Sequence, residues 1–144
     1  MTAISLKMNN TLTDCDKGYI ELRCVVNGEF VTDISSISLN RKDANDSKED
    51  KLLAQVSKDS LFLDSEFFKR PGVNLTPIKN VNLSYLSVKI MGSVVNSLKD
   101  KGPYQCILNA YDTDGGLIIE KSMLRMLNIT GNSNIVICLN VHCL

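Results

Sequence analysis

Apolar and polar residues alternate with a period of two in four segments of the chain. Every second residue from Ile20 to Val26 is apolar, and the same period recurs in residues 35–39, 86–90 and 104–110. Successive side chains of a β-strand point to opposite faces of its sheet, so a strand with one buried face shows this period. The four segments are therefore predicted to be antiparallel strands that each turn one face towards a core.

Turn-forming residues separate the predicted strands. Residues 112–116, Asp-Thr-Asp-Gly-Gly, lie between two apolar runs and predict a hairpin loop. Pro71-Gly72 predicts a second turn, and Pro103 stands at the start of a strand, where a missing N–H disturbs the ladder least. Several short strands joined by such turns indicate an all-β sandwich or barrel.

Two segments do not show the alternation. Residues 41–51 carry eight charges among eleven residues and no apolar period, so we expect a solvated loop there, followed by a strand over residues 52–57. Residues 60–70 contain several large apolar side chains without a clear period, and they fit either a short strand or one helical turn.

Length and composition indicate one globular domain. The chain has 144 residues, 44% of them apolar and 22% charged. We predict this domain over residues 1–130, with its core at about 12–127, followed by an apolar tail of unknown role over 131–144. Sixteen basic residues balance sixteen acidic ones, which argues against nucleic acid as a partner. No apolar run approaches the roughly 20 residues of a membrane-spanning helix.

Cysteines and glycosylation sequons favour the secretory pathway. The chain has five cysteines and five N-x-[S/T] sequons, where chance pairing of its asparagines with Ser and Thr would give about two sequons. Residues 1–12 lack the features of a signal peptide. We predict a secreted or extracellular domain whose leader is missing from this sequence; a cytoplasmic chain is the alternative.

The sequons differ in their expected exposure. They begin at Asn9, Asn45, Asn74, Asn82 and Asn128. Asn45 lies in the charged segment and Asn74 beside a predicted turn, Asn82 just precedes a strand, Asn128 lies at the end of the domain and Asn9 in an N-terminal segment that we expect to be loose. We predict glycans on about two or three of the five.

One motif resembles a known family. Asp100, Gly102, Tyr104 and Cys106 form a D-x-G-x-Y-x-C run, and Cys24 lies on an early strand far upstream. The run resembles strand F of the immunoglobulin superfamily, and the resemblance extends over about residues 12–127. It implies a divergent variable-type domain, an all-β Greek-key sandwich of two antiparallel sheets. It also implies a Cys24–Cys106 disulfide, Tyr104 as the tyrosine corner, and Asp100 and Gly102 in the turn before strand F.

The chain departs from that family at one core position, because it has no tryptophan. Ile37 or Leu39 would have to fill the place of the usual strand-C tryptophan. A narrower similarity, carried by residues 37–41 (Ile-Ser-Leu-Asn-Arg) and 52–54 (Leu-Leu-Ala), is to the immunoglobulin domains of molluscan fibrinogen-related and C-type-lectin-related defence proteins. That similarity implies a secreted multi-domain protein that binds microbial or parasite surfaces.

Residue types suited to catalysis or metal binding are sparse. The single histidine, His142, is third from the end, and no nucleophile-elbow, phosphate-loop or dinucleotide motif occurs. We therefore predict neither an enzyme nor a cofactor.

The tail cysteines do not form a complete zinc site, because Cys138, His142 and Cys143 offer three ligands where zinc needs four. Together with Cys15, the two tail cysteines are three in number, and this odd number favours intermolecular disulfide pairing. Asp112-Thr113-Asp114-Gly115 is better explained as a turn than as a calcium loop.

These features predict non-enzymatic recognition or adhesion. In a variable-type sandwich the B–C and F–G loops meet at one end, which makes Phe30, Tyr111, Asp112 and Asp114 the candidate binding residues. The predicted partner is a protein or glycan on another cell or microbe, with possible disulfide-linked or multi-domain partners, and the innate immunity of an invertebrate is one setting. The alternatives are an intracellular scaffold module with reduced cysteines and an enzyme or metal-binding domain.

Overall fold

The computed structural model describes residues 3–10, 18–29, 31–43, 46–58, 60–65, 69, 73–76, 85–92, 95 and 100–127. Within these residues the chain forms ten strands. They are β1 (Ile4–Asn10), β2 (Tyr19–Val26), β3 (Asp33–Asp43), β4 (Asp46–Ser57), β5 (Leu61–Leu63), β6 (Val73–Thr76), β7 (Tyr85–Met91), β8 (Gly102–Tyr111), β9 (Leu117–Lys121) and β10 (Arg125–Leu127).

The strands form two antiparallel sheets packed face to face. One has the order β1-β2-β7-β6, and the other has the order β10-β8-β3-β4-β5, with β9 also paired to β8. β9 and β10 pair with opposite ends of β8 along one edge, so together they form one interrupted edge strand. The chain crosses between the sheets after β2, β5 and β7. The predicted all-β sandwich is confirmed, and the presence of β4 and β5 beside β3 is the variable-type arrangement.

The core lies between the inner faces of the sheets. β2 and β8 show the period of two most clearly, since every second residue of each strand is buried. Ile37 and Leu39 of β3 are both fully buried. They occupy the strand that carries the tryptophan in most immunoglobulin domains, so two aliphatic side chains contribute the apolar area there.

The expectation of a solvated loop over residues 41–51 was wrong. β3 continues to Asp43 and β4 begins at Asp46, and Arg41 pairs with Lys51 while Lys42 pairs with Asp50. A hairpin of this kind is held by backbone hydrogen bonds, which need no apolar alternation in the side chains. The strand predicted over 52–57 is the second half of β4, and the strand alternative for residues 60–70 is found at β5.

The N-terminal segment is also more ordered than expected. Residues 4–10 form β1, which pairs with β2 over its whole length, and Ala3, Ile4 and Leu6 are buried in the core. Arg125 Nη1 donates a hydrogen bond to the carbonyl oxygen of Leu6 at 3.1 Å, which ties β1 to the opposite sheet. The core therefore begins before residue 12, and Asn9 lies on a paired strand.

Candidate functional site

A disulfide joins the two sheets at the centre of the core. Cys24 of β2 and Cys106 of β8 are fully buried, with their Cα atoms 5.8 Å apart and their sulfur atoms bonded. Both residues lie on the inward face of their strands, as the alternation of burial in β2 and β8 requires. The disulfide implied by the resemblance is confirmed.

Tyr104 fixes the start of β8. Its side chain is fully buried, and its hydroxyl donates a hydrogen bond of 2.6 Å to the carbonyl oxygen of Asp100, which is itself 1% exposed. This is the contact that defines a tyrosine corner. The structure places Gly102, which was expected in the turn before this strand, as the first residue of β8. Its φ is +141°, in a region that side chains rarely adopt, so glycine is favoured where the turn enters the strand.

Asp112 organises the β8–β9 loop, residues 112–116. Its Oδ1 accepts backbone N–H bonds from Asp114 at 2.9 Å and from Gly116 at 2.7 Å. The backbone closes the same loop, since Asp112 N–H donates to the Gly116 carbonyl at 2.8 Å. Gly115 has φ of +84°, which a glycine adopts without strain. The loop predicted from the Asp-Gly composition is present, and its first aspartate shapes it.

The β2–β3 loop, residues 27–32, is tied to the β8–β9 loop. Thr32 N–H donates to the Tyr111 carbonyl at 3.0 Å, and Thr32 Oγ1 donates to the Asp112 carbonyl at 3.0 Å. The two loops therefore meet at one end of the sandwich, as a variable-type arrangement requires. Asp114 is exposed beside them, whereas Phe30 lies outside the described residues.

An exposed apolar strip extends from this end along the outer face of the six-stranded sheet. Tyr111, the last residue of β8, is 41% exposed, and Leu117 and Ile119 of β9 are 63% and 64% exposed. Tyr111 pairs directly with Leu117, and Asn109 pairs with Ile119, so the three apolar side chains lie on one face of two adjacent strands. We call Tyr111, Leu117 and Ile119 the apolar strip.

Comparison with known proteins identifies the architecture. No family model and no curated protein matches the chain. The fold matches 783 solved chains, so it is widespread and selects no function by itself. One of them is murine CRIg, an immunoglobulin-like variable-set domain: it is 12% identical to this chain, with a TM-score of 0.61 over 89% of this chain and 98% of CRIg. The chain has an immunoglobulin-like fold. The narrower molluscan similarity stays a prediction from the sequence.

Sequence reasoning found Tyr111 in this immunoglobulin-like domain but missed Leu117 and Ile119. The available signal was the run Leu117-Ile118-Ile119, which places apolar residues on both faces of one strand. Ile118 packs against the core, so its two neighbours must point outward. Further exposed apolar residues lie along the same edge, at Met123, Leu124 and Met126.

The outer face of the four-stranded sheet is different in character. The Lys89 ammonium lies 5.0 Å from the centre of the Tyr19 ring, and the Arg23 guanidinium lies 4.3 Å from that of Tyr85. The Ser87 hydroxyl donates to Glu21 Oε2 at 2.7 Å. Charged groups cover the aromatic rings of β2 and β7, so this part of the face presents polar surface where the opposite sheet presents the apolar strip.

Several predicted residues lie outside the part of the chain that the structure describes. They are Cys15, Phe30, Asn45, Asn82, Asn128, Cys138, His142 and Cys143, together with the 131–144 tail. Among the described residues, no group of three His, Cys, Asp or Glu side chains is placed to bind a metal ion. In the same residues no helix has the length and apolar character to cross a membrane.

Proposed function

We propose that this immunoglobulin-like domain is a non-enzymatic recognition module of a secreted or cell-surface protein, and that it binds a protein ligand through the apolar strip and the adjoining β8–β9 loop. The observation that carries the proposal is the exposure of the three large side chains of the apolar strip, beside the β2–β3 and β8–β9 loops. Exposed apolar clusters bordered by polar residues are typical of protein interaction sites.

The chemistry of this end favours binding over catalysis. The Thr32 hydroxyl donates to a backbone carbonyl, and the Asp112 carboxylate accepts two backbone N–H groups, so both side chains are used in holding the loops. A loop fixed in this way loses little conformational entropy when it binds. Tyr111 adds an aromatic contact of the kind enriched in interface hot spots.

A protein ligand fits the apolar strip better than a glycan does. Leu117 and Ile119 are aliphatic and offer no hydrogen bond to sugar hydroxyls, but they can be buried against a complementary apolar protein surface. The ligand that we propose is carried by another cell or by a microbe, and pathogen recognition in an invertebrate host is the specific setting suggested by the sequence resemblance.

The proposed location rests on two observations. The buried Cys24–Cys106 bond is of a kind that persists in oxidising compartments. The chain has five sequons where chance would give about two, and sequons are glycosylated only in the secretory lumen. Both favour the extracellular module over the intracellular scaffold.

The test is a binding screen with a matched pair of variants. The domain, biotinylated and assembled into tetramers for avidity, is incubated with a panel of microbial and animal cells and measured by flow cytometry. We expect binding to at least one surface. The double variant Leu117→Ser/Ile119→Ser should lower that binding about tenfold or more, since hot-spot truncations amount to about 2 kcal/mol.

The control is Met91→Ser, which removes an apolar side chain of 42% exposure from the opposite sheet and should leave binding unchanged. Equal binding by the wild type and the strip variant would contradict the assignment of the site. Absence of binding to the whole panel, in a folded product whose Cys24 and Cys106 are reduced, would favour the intracellular scaffold.

A further inference from the structure

One row of residues runs straight across the outer face of the four-stranded sheet and has a sequon asparagine at each end. Asn9 of β1 pairs with Glu21 of β2, Glu21 pairs with Lys89 of β7, and Lys89 pairs with Asn74 of β6. β1 and β6 are the two edge strands of this sheet. The sequence positions of the two sequons, 65 residues apart, give no hint of this alignment.

The row is accessible at the positions whose side chains the structure describes. Asn9 and Lys89 are exposed, and Glu21 is half-buried with the Ser87 hydroxyl on its carboxylate. Paired residues of adjacent strands share a face of the sheet, so the register places Asn74 on the outer face with Lys89. Three gaps between strands, each about 4.8 Å, put the two ends of the row about 14 Å apart.

We propose that Asn9 and Asn74 both carry N-linked glycans, and that these glycans cover the outer face of the four-stranded sheet while the apolar strip on the other sheet stays bare. The proposal rests on the secretory location proposed above. Glycans are bulky and hydrophilic, and two of them at opposite edges of a four-stranded sheet exclude a protein partner from the surface between them. Recognition is thereby confined to the six-stranded sheet and the loop end.

The modification needs only the asparagine side chain and a donor of the secretory lumen. Asparagine Nδ2 forms a bond to the anomeric carbon of a lipid-linked sugar diphosphate. The bond from that carbon to the diphosphate oxygen breaks, the diphosphate leaves with the electron pair, and the amide loses one proton. An asparagine on the outer face of an edge strand can carry the product without displacing any core side chain.

The experiment is a glycopeptide map of the full chain, made with an added leader in a eukaryotic secretory host and recovered from both medium and cell lysate. Trypsin releases Asn9 in peptide 8–17 and Asn74 in peptide 70–79, so the two sites are scored separately. We expect glycan on both peptides. Asn9→Gln and Asn74→Gln should each remove one glycan. Asn10→Gln is the matched control, because it changes the neighbouring asparagine and leaves the sequon at Asn9 intact.

Amine acetylation of the native protein tests whether the face is covered. We expect Lys89 to react about twofold or more slowly in the glycosylated protein than after enzymatic removal of the glycans. Lys121, exposed on β9 of the other sheet, should react equally in both forms. Bare Asn9 and Asn74 in a disulfide-bonded product, or equal reactivity of Lys89 in the two forms, would overturn the proposal and leave the recognition function standing. Reduced Cys24 and Cys106 would instead count against the proposed location and function.

Discussion

The hydrogen bond of the tyrosine corner can be tested by removing a single oxygen atom from the Tyr104 side chain. Tyr104→Phe deletes the hydroxyl that donates to the Asp100 carbonyl at 2.6 Å. The ring, its burial and its position 6.0 Å below the Arg41 guanidinium all stay. The free energy of unfolding should therefore fall by the contribution of this bond, with no cavity large enough to add to it.

The magnitude follows from the burial of both partners. A protein hydrogen bond contributes about 0.5–1.5 kcal/mol net, and losing the donor of a buried acceptor costs about 1–3 kcal/mol. Tyr104 is fully buried and Asp100 is 1% exposed, so we expect a loss of about 1.5 kcal/mol. For a chain of this size that corresponds to a fall in Tm of about 5 °C. With a urea m-value near 2 kcal/mol/M, the midpoint should fall by about 0.8 M.

The assay is urea unfolding followed by far-UV circular dichroism, with Tyr111→Phe as the matched control. Tyr111 is at the other end of the same strand and is 41% exposed, so loss of its hydroxyl should change the free energy of unfolding by less than about 0.5 kcal/mol. If Tyr104→Phe shifts the midpoint no more than Tyr111→Phe does, the hydrogen bond of the tyrosine corner does not stabilise the fold.

Three further changes should have separate effects. Replacing Cys24 and Cys106 together with alanine should lower the free energy of unfolding by about 4–5 kcal/mol, since the bond closes a loop with a separation of 82 residues; dithiothreitol should destabilise the wild type and leave the double variant unchanged in urea unfolding. Asp112→Ala should cost about 1–2 kcal/mol in the same assay, whereas Asp112→Asn, which keeps an acceptor oxygen, should retain most of the stability. Gly115→Ala should lower Tm by an amount equivalent to about 1 kcal/mol because of its positive φ, and an unchanged Tm would show that the loop relaxes.

The local sequence pattern was sufficient to predict strands that have one buried face and one solvent-exposed face. β2 contains the predicted segment from Ile20 to Val26 and extends it by one residue, and β8 and the 112–116 loop follow the alternation and the Asp-Gly turn residues. These features follow from the preferences of single residue types: apolar residues for burial, Asp and Gly for turns, and Tyr for a buried hydroxyl that donates a hydrogen bond. The disulfide needed the family resemblance, because the two cysteines are on different sheets.

Pairing between strands was the part that local pattern could not supply. The β3–β4 hairpin continues through residues 41–51 because backbone groups pair there irrespective of side-chain charge. Residues 4–8 of β1, Ile-Ser-Leu-Lys-Met, do alternate between apolar and polar. This pattern could have predicted the strand in place of a loose N-terminus. The apolar strip joins two strands, and the row from Asn9 to Asn74 joins four, so neither is visible before the register is known.

The central claim is that the chain folds as a disulfide-bonded immunoglobulin-like domain of the secretory pathway. A non-reducing tryptic map of the secreted, folded protein, made after alkylation of free thiols, tests this claim most directly. Trypsin places Cys24 in peptide 24–41 and Cys106 in peptide 102–121, while Cys15 falls in 8–17 and the two tail cysteines in 126–144. We predict one species that joins 24–41 to 102–121 and separates on reduction. Alkylated Cys24 and Cys106, or either one joined to 8–17 or 126–144, would contradict it.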